Sequence, residues 1–241
     1  MIHLWIATVP VVLLVVFFYV KDKLEKEPPK EMAKAFAGGI LSAISVILIF
    51  LIFGFDLPDP SNPETTQTAT AAVISSFNMA FFAAAIPEEF FKLLFLYIFI
   101  WKSRHFNEYY DGILYAVLTS LGFAWLENVF YVMEGGIGTG IARALFAVPG
   151  HALDGVLMGY FFSHARFDIK NRNKYLLLSF AAPVMAHGIY DFIVFMLGGM
   201  HIPDVVKGIL VLLFLGFVIF LWVYCLKKCK EHMERKVVTQ N

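Results

Sequence analysis

Apolar residues run along this chain in long blocks, and the blocks have the length that crosses a bilayer. About 20 apolar residues carry an α-helix through the hydrocarbon core. Seven stretches meet that requirement: 2–20, 36–55, 72–101, 112–132, 141–164, 175–197 and 205–226. No alternating strand pattern separates them, so the expected class is all-α. The chain reads as a polytopic transmembrane helix bundle of about seven spans, one membrane domain over 1–241. The first block has no small-residue cleavage site and runs into a charged loop. It reads as a retained span rather than a signal peptide.

The polar residues between the blocks set the orientation. One set of loops holds Lys21, Lys23, Lys26, Lys30 and Lys34, then Lys102 and Arg104, then Arg166, Lys170, Arg172 and Lys174, then a Lys-rich tail. The other set holds Asp56, Asp59 and Glu64, then Glu134 with the glycines of 135–140, then His201 and Asp204. Basic loops stay cytoplasmic. The sets alternate across seven spans, which places the N-terminus outside and the C-terminus in the cytoplasm. Pro87 interrupts the third block. Proline removes a helical hydrogen bond, so a second helical half is expected to start there. Glu88 and Glu89 then fall in its first turn, where the helix dipole favours carboxylates. Splitting the block at Pro87 gives an alternative of eight spans.

Composition agrees with a membrane protein. Hydrophobic residues make up 59% of the chain and charged residues 16%, too apolar for an ordinary soluble domain. Net charge is zero with no basic patch, so the lipid bilayer is an expected partner and nucleic acid is not. Cys225 and Cys229 stand beside Lys227, Lys228 and Lys230 without a CxxC motif. They read as two reduced thiols, or alternatively as juxtamembrane palmitoylation sites.

Against this background the ionisable residues inside the blocks stand out. Such groups are costly in lipid and are usually functional. Counted from the cytoplasmic ends at 1.5 Å per residue, Glu89 lies about 18 Å deep, Glu127 about 24 Å, His151 about 22 Å and His187 about 20 Å. Four helices thus place one polar layer slightly outside the midplane. Lys92 is spaced to pair with Glu88 at i,i+4 or Glu89 at i,i+3. Asp154 is spaced to orient His151, and Asp191 to orient His187. Adjacent Glu88 and Glu89 cannot face one point equally, and Glu89 is taken as the reactive acid. Asn128 beside Glu127 reads as a supporting hydrogen-bonding residue. Gly155 and Gly159 form a face for close helix approach, and Gly188 a second such point. His3, His105, His164, His201 and His232 fall at interfaces or in loops and carry no site signal.

Carboxylates with imidazoles in a wet pocket suit water activation. The same set, Glu89, Glu127, His151 and His187, is also suited to hold a divalent metal such as zinc. No HExxH, GxSxG or P-loop signature accompanies it.

The segments Pro-Glu-Glu-Phe-Phe-Lys (87–92), Gly-Phe-Ala-Trp-Leu-Glu-Asn (122–128), the helix carrying His151 to Gly159, and Ala-His-Gly-Ile-Tyr-Asp (186–191) resemble the PrsW family of intramembrane proteases. Asp111-Gly112 and Arg143 look like the family as well. The resemblance covers 72–195, and 72–197 is expected to be the catalytic core. It implies a multi-pass cell-membrane endopeptidase that cuts a single-pass membrane protein. The implied theme is site-1 cleavage of an anti-sigma factor, which frees a stress-response sigma factor. By resemblance, Glu88, Glu89 and His187 are the essential motif residues, completed by Glu127 and His151. Related enzymes imply a metal-free glutamate/histidine mechanism, with no cofactor required. The alternative is a proton-coupled transporter or channel that uses the Glu/His layer as a relay.

Overall fold

The computed structural model describes residues 2–22, 25–53, 68–199 and 202–235. The described residues form helices and connecting turns, with no strand among them. Helix α1 spans Ile2–Lys21 and α2 spans Pro29–Phe53. Next come α3, Ala69–Asn78, a π-helical stretch, Met79–Ala85, and α4, Ile86–Ile100. Helix α5 is Tyr109–Leu145, α6 is Ala147–Phe167, α7 is Arg172–Gly198 and α8 is Asp204–Glu234. The acidic loop with Asp56, Asp59 and Glu64, together with Lys23 and His201, lies outside the described residues.

Six helical stretches among the described residues are long and apolar enough to cross a membrane. One of them, Tyr109–Phe167, has 59 residues, about 88 Å of helix against a core of about 30 Å. It folds back on itself as an antiparallel pair. Ser163 of α6 bonds the carbonyl of Tyr109, while His151 of α6 meets Glu127 of α5. Seven crossings result, and the chain is a multi-pass membrane protein. Large apolar side chains of α1, α2 and α8, such as Leu13, Leu51 and Leu212, stay exposed for lipid.

The α5–α6 hairpin is the centre of the bundle. Most of α5 from Tyr109 to Ala124 is buried, as is most of α6 from His151 to Gly159. Two glycines allow the contact. A side chain at Gly155 would meet Val117 Cα at 2.7 Å, and one at Gly159 would overlap the Gly112 backbone. Gly188 of α7 packs the same way beneath the Phe81 ring. The far end of α5 breaks at Gly136, whose φ of 73° is left-handed and suits glycine. The nine residues from 137 to 145 then turn back as a short helical arm.

Several of the basic-loop ends gather at one end of the bundle. The end of α1, the starts of α2 and α5, and the ends of α6 and α8 share one face. Tyr110 there bonds Phe18 O, Ser103 bonds Glu31, and His232 meets Tyr109 O. Helix α5 begins with a reciprocal cap between Glu108 and Asp111. Helix α2 begins at Pro29, seven residues before its apolar block, because proline is preorganised for a first helical position. Cys225 and Cys229 are free thiols fully packed inside the bundle, with Cys225 Sγ 3.6 Å from Leu153 O. That burial removes the palmitoylation reading.

Beside this face, Glu27 is buried in the α1–α2 loop, where it accepts a hydrogen bond from the Tyr115 hydroxyl. Burial raises its carboxyl to about 7, with the Asp22 and Glu25 carboxylates adding to the rise against the Tyr115 bond. The folded state therefore keeps a proton that the unfolded chain releases near 4.5. Stability falls as pH rises through that interval and levels off above it. Thermal melts of detergent-solubilised protein should show Glu27→Gln more stable than wild type at pH 8, and closer to it at pH 4.5. Replacing Gly159 by Leu should cost about 1–3 kcal/mol or prevent folding, read as a lowered melting temperature or loss of the monodisperse species.

Candidate active site

Helix α4 aims the paired carboxylates. Pro87 has no N–H to give to the preceding turn, and the helix widens there without ending. Ile86 N–H reaches back to Phe81 O, a five-residue step. The Ala69–Ile100 stretch therefore crosses as one span and the eight-span alternative is not adopted. Glu88 and Glu89 sit in the first turn of α4. About 100° apart, they face different surroundings. Glu88 lines a cavity, whereas Glu89 is fully enclosed.

Lys92, also fully enclosed, ties the helices together. Its Nζ lies 2.7 Å from Glu89 Oε1, 3.4 Å from Glu88 Oε2 and 3.1 Å from His151 Nδ1. The ammonium stands 4.1 Å from the Phe123 ring centroid. An ammonium only donates, so His151 Nδ1 accepts from it. His151 Nε2 then carries the proton and donates to Glu127 Oε2 at 2.9 Å.

His187 of α7 stands between acids. Its Nδ1 is 2.9 Å from Glu89 Oε1 and its Nε2 3.2 Å from Asp191 Oδ2. Glu88 lies 3.9 Å from Nε2. The two imidazole rings meet edge to face, centroids 5.3 Å apart. Asp191 orients His187 as its spacing suggested. Asp154 does not serve His151: it sits 4.0 Å from His187 Nδ1 instead. The α6–α7 contact overrides the i,i+3 spacing, because α6 turns this face toward α7.

On the side of His151 away from Lys92, Glu127 accepts from Arg143 Nη2 at 2.7 Å, and Asn128 Oδ1 accepts from Arg143 Nε at 3.0 Å. Asn128 Nδ2 donates to Ala7 O, so it ties the site to α1. These partners hold Glu127 on the far side of His151. Among the described residues, the group with ligand atoms within 4.8 Å of one another is Glu88, Glu89, His151 and His187. Glu88 thus replaces Glu127 in the ligand set expected from sequence. The group is buried and of metal-binding type.

A cavity of about 370 Å³ opens onto these residues. Glu88, Glu127, His151, Asp154, His187 and Asp191 supply its polar wall, and apolar and small residues such as Tyr190, Phe214 and Ala147 the rest. Arg143 lines it as well, a role that motif resemblance alone hinted at. A second polar cluster lay outside the expectations. His164 and His232 are buried with Nε2 atoms 3.4 Å apart, at the basic-loop end of the bundle. Position in sequence gave no sign that the last turn of α8 folds onto α6.

Comparison with known proteins bears on this arrangement. A family model described as PrsW family intramembrane metalloprotease matches residues 27–224. The chain belongs to the PrsW family. It is 39% identical over 184 residues to Protease PrsW of Geobacillus kaustophilus, covering 76% of each chain. It is 33% identical to Protease PrsW of Bacillus subtilis over 223 residues, 92% of this chain and 91% of that one. The protein of Clostridioides difficile bearing the same name is 29% identical over 236 residues, covering 95% of this chain and 90% of that one. No solved structure matches the chain. It is therefore a membrane-embedded protease acting on membrane-embedded substrates, and the transporter reading is not favoured.

Replacing Lys92 with Met removes the cation from a site where Glu89 stays buried. An uncompensated buried charge costs about 3–5 kcal/mol, so Lys92→Met should lower the melting temperature well below that of wild type. Lys92→Met combined with Glu89→Gln should recover part of the loss.

Proposed function

We propose that this protease makes the first cut in a single-pass anti-sigma factor, with water activated by the Glu/His cluster. The supporting observation is that one cavity gathers four carboxylates, two imidazoles and an apolar wall inside a helix bundle. An unfolded stretch of an apolar span fits such a wall, and the acids beside it hold water.

Glu88 is the base in this reading. Spacing favoured Glu89, yet Glu89 is enclosed and committed to Lys92 and His187. Glu88 lines the cavity and has longer contacts, 3.4 Å to Lys92 and 3.9 Å to His187 Nε2. It takes a proton from water as the water oxygen attacks the scissile carbonyl carbon. The negative oxygen that forms accepts a hydrogen bond from His187. The proton held by Glu88 then passes to the amide nitrogen as the C–N bond breaks, leaving a carboxylic acid and an amine. Glu89 and Lys92 fix the geometry, and Asp191 holds His187 in place. Asp154 closes the pocket floor beside His187. The reactive groups come from α4 to α7, so 72–197 is proposed as the catalytic core, with its base layer toward the outer face.

The family description implies a metal. The donors fit one by type and spacing, and Glu89 Oε2 is buried without a hydrogen-bond partner. Glu88, Glu89, His151 and His187 would hold the ion, which would supply Lewis-acid polarisation of the carbonyl and a more acidic water. Lys92 reaches three of these four donors, so its ammonium and a bound ion would compete for the same group.

Membranes containing wild type or Glu88→Gln should differ in their single-pass proteins. Mass spectrometry should find at least one such protein uncut in the variant and shortened in wild type. Full cleavage by correctly folded Glu88→Gln would remove Glu88 as the base, and cleavage at the variant's level by wild type would remove the substrate assignment.

A further inference from the structure

An arginine on the outer arm is an unexpected neighbour for a catalytic cluster. Arg143 lies beyond the break at Gly136, on the arm running to Leu145. A guanidinium at a membrane depth needs partners, and Arg143 has three on one face of α5: Glu127, Asn128 and, 4.0 Å beneath the guanidinium, the Tyr131 ring. It is the one Lys or Arg among the residues lining the cavity. The oxygen it binds is also the one that binds the histidine. Glu127 Oε2 accepts from Arg143 Nη2 at 2.7 Å and from His151 Nε2 at 2.9 Å.

We propose that Arg143 is a positioning residue that holds Glu127 against His151 and thereby fixes which ring nitrogen of His151 faces the centre of the site. A shared acceptor oxygen fixes both donors. With Glu127 held, Nε2–H of His151 stays bound outward and the Nδ1 lone pair is left pointing inward at Lys92. A carboxylate free to swing into the cavity would release the ring to turn over about its Cβ–Cγ bond, which carries Nδ1 away from Lys92 and no longer holds the ring to one tautomer. The consequence for cleavage rests on the protease reading above, whereas the ring orientation does not depend on it.

The arrangement is read directly by nitrogen NMR of ¹⁵N-histidine-labelled protein in micelles, with the His151 signals identified by their loss in His151→Asn. Wild type should show His151 protonated at Nε2 and bare at Nδ1. Arg143→Lys should keep that form, while Arg143→Gln should lose it. The His164 and His232 signals, at the far end of the bundle, report folding. If they too are lost in Arg143→Gln, Glu127→Gln takes its place and should lose the single His151 form. An unchanged His151 signal in a folded Arg143→Gln or Glu127→Gln overturns the proposal. Tyr131→Leu loosens the arm without touching Glu127 and should keep the wild-type form, and a loss there assigns the effect to arm closure and overturns it. In cleavage assays on the proteins that accumulate in Glu88→Gln membranes, Arg143→Gln should lower kcat about tenfold or more, with KM changed by no more than about twofold and Arg143→Lys partly recovering. If wild type cuts nothing yet the ring signals behave as expected, the protease reading fails and the positioning role stands.

Discussion

A lysine ammonium buried among helices is what this structure is organised around. Lys92 is fully enclosed, so its charge is supported by Glu89, Glu88 and His151 standing within reach. A buried charge without partners costs far more than a bundle gains from any one contact. The requirement fixes the rotation of α4 and its distance from α6. It also gives His151 Nδ1 the acceptor's role, as long as Glu127 holds the ring with that nitrogen inward. Moving α4 away from α6 would take His151 from the buried ammonium.

The backbone supplies the freedom that this constraint needs. Pro87 removes one hydrogen bond and the π-helical stretch absorbs the loss, so α4 continues while its first turn re-aims the two glutamates. Gly155 and Gly159 bring α5 and α6 close enough for Glu127 to reach His151. Gly136 lets the arm turn back and deliver Arg143 to the other side of Glu127. Each departure from a regular helix lies near a charged group it serves.

The cluster gives the two histidines different surroundings. His151 is held between a cation and an acid, which leaves it one defined tautomer. His187 stands between two acids, Glu89 and Asp191. A pair of similar side chains, each in its own electrostatic surroundings, is a general route to separate acid and base roles within one pocket. Glu88 and Glu89 are divided the same way, one toward the cavity and one toward Lys92.

Much of this architecture was legible in the residues themselves. Block lengths count the spans, because a helix of fixed rise must match the bilayer. Loop charges give the alternation, because ions partition at the surface. Separations within one helix foretold the Lys92–glutamate pairs and the His187–Asp191 pair, since 3.6 residues per turn places those side chains on one face. Contacts between helices depend on the rotation and depth that packing imposes, and no single segment carries that information. Only the tertiary structure decided that Asp154 belongs to His187, that Glu127 shares one oxygen between Arg143 and His151, and that His164 meets His232. The same physics divides the two: local spacing fixes what lies along one helix, and the close fit of several helices fixes what meets across them.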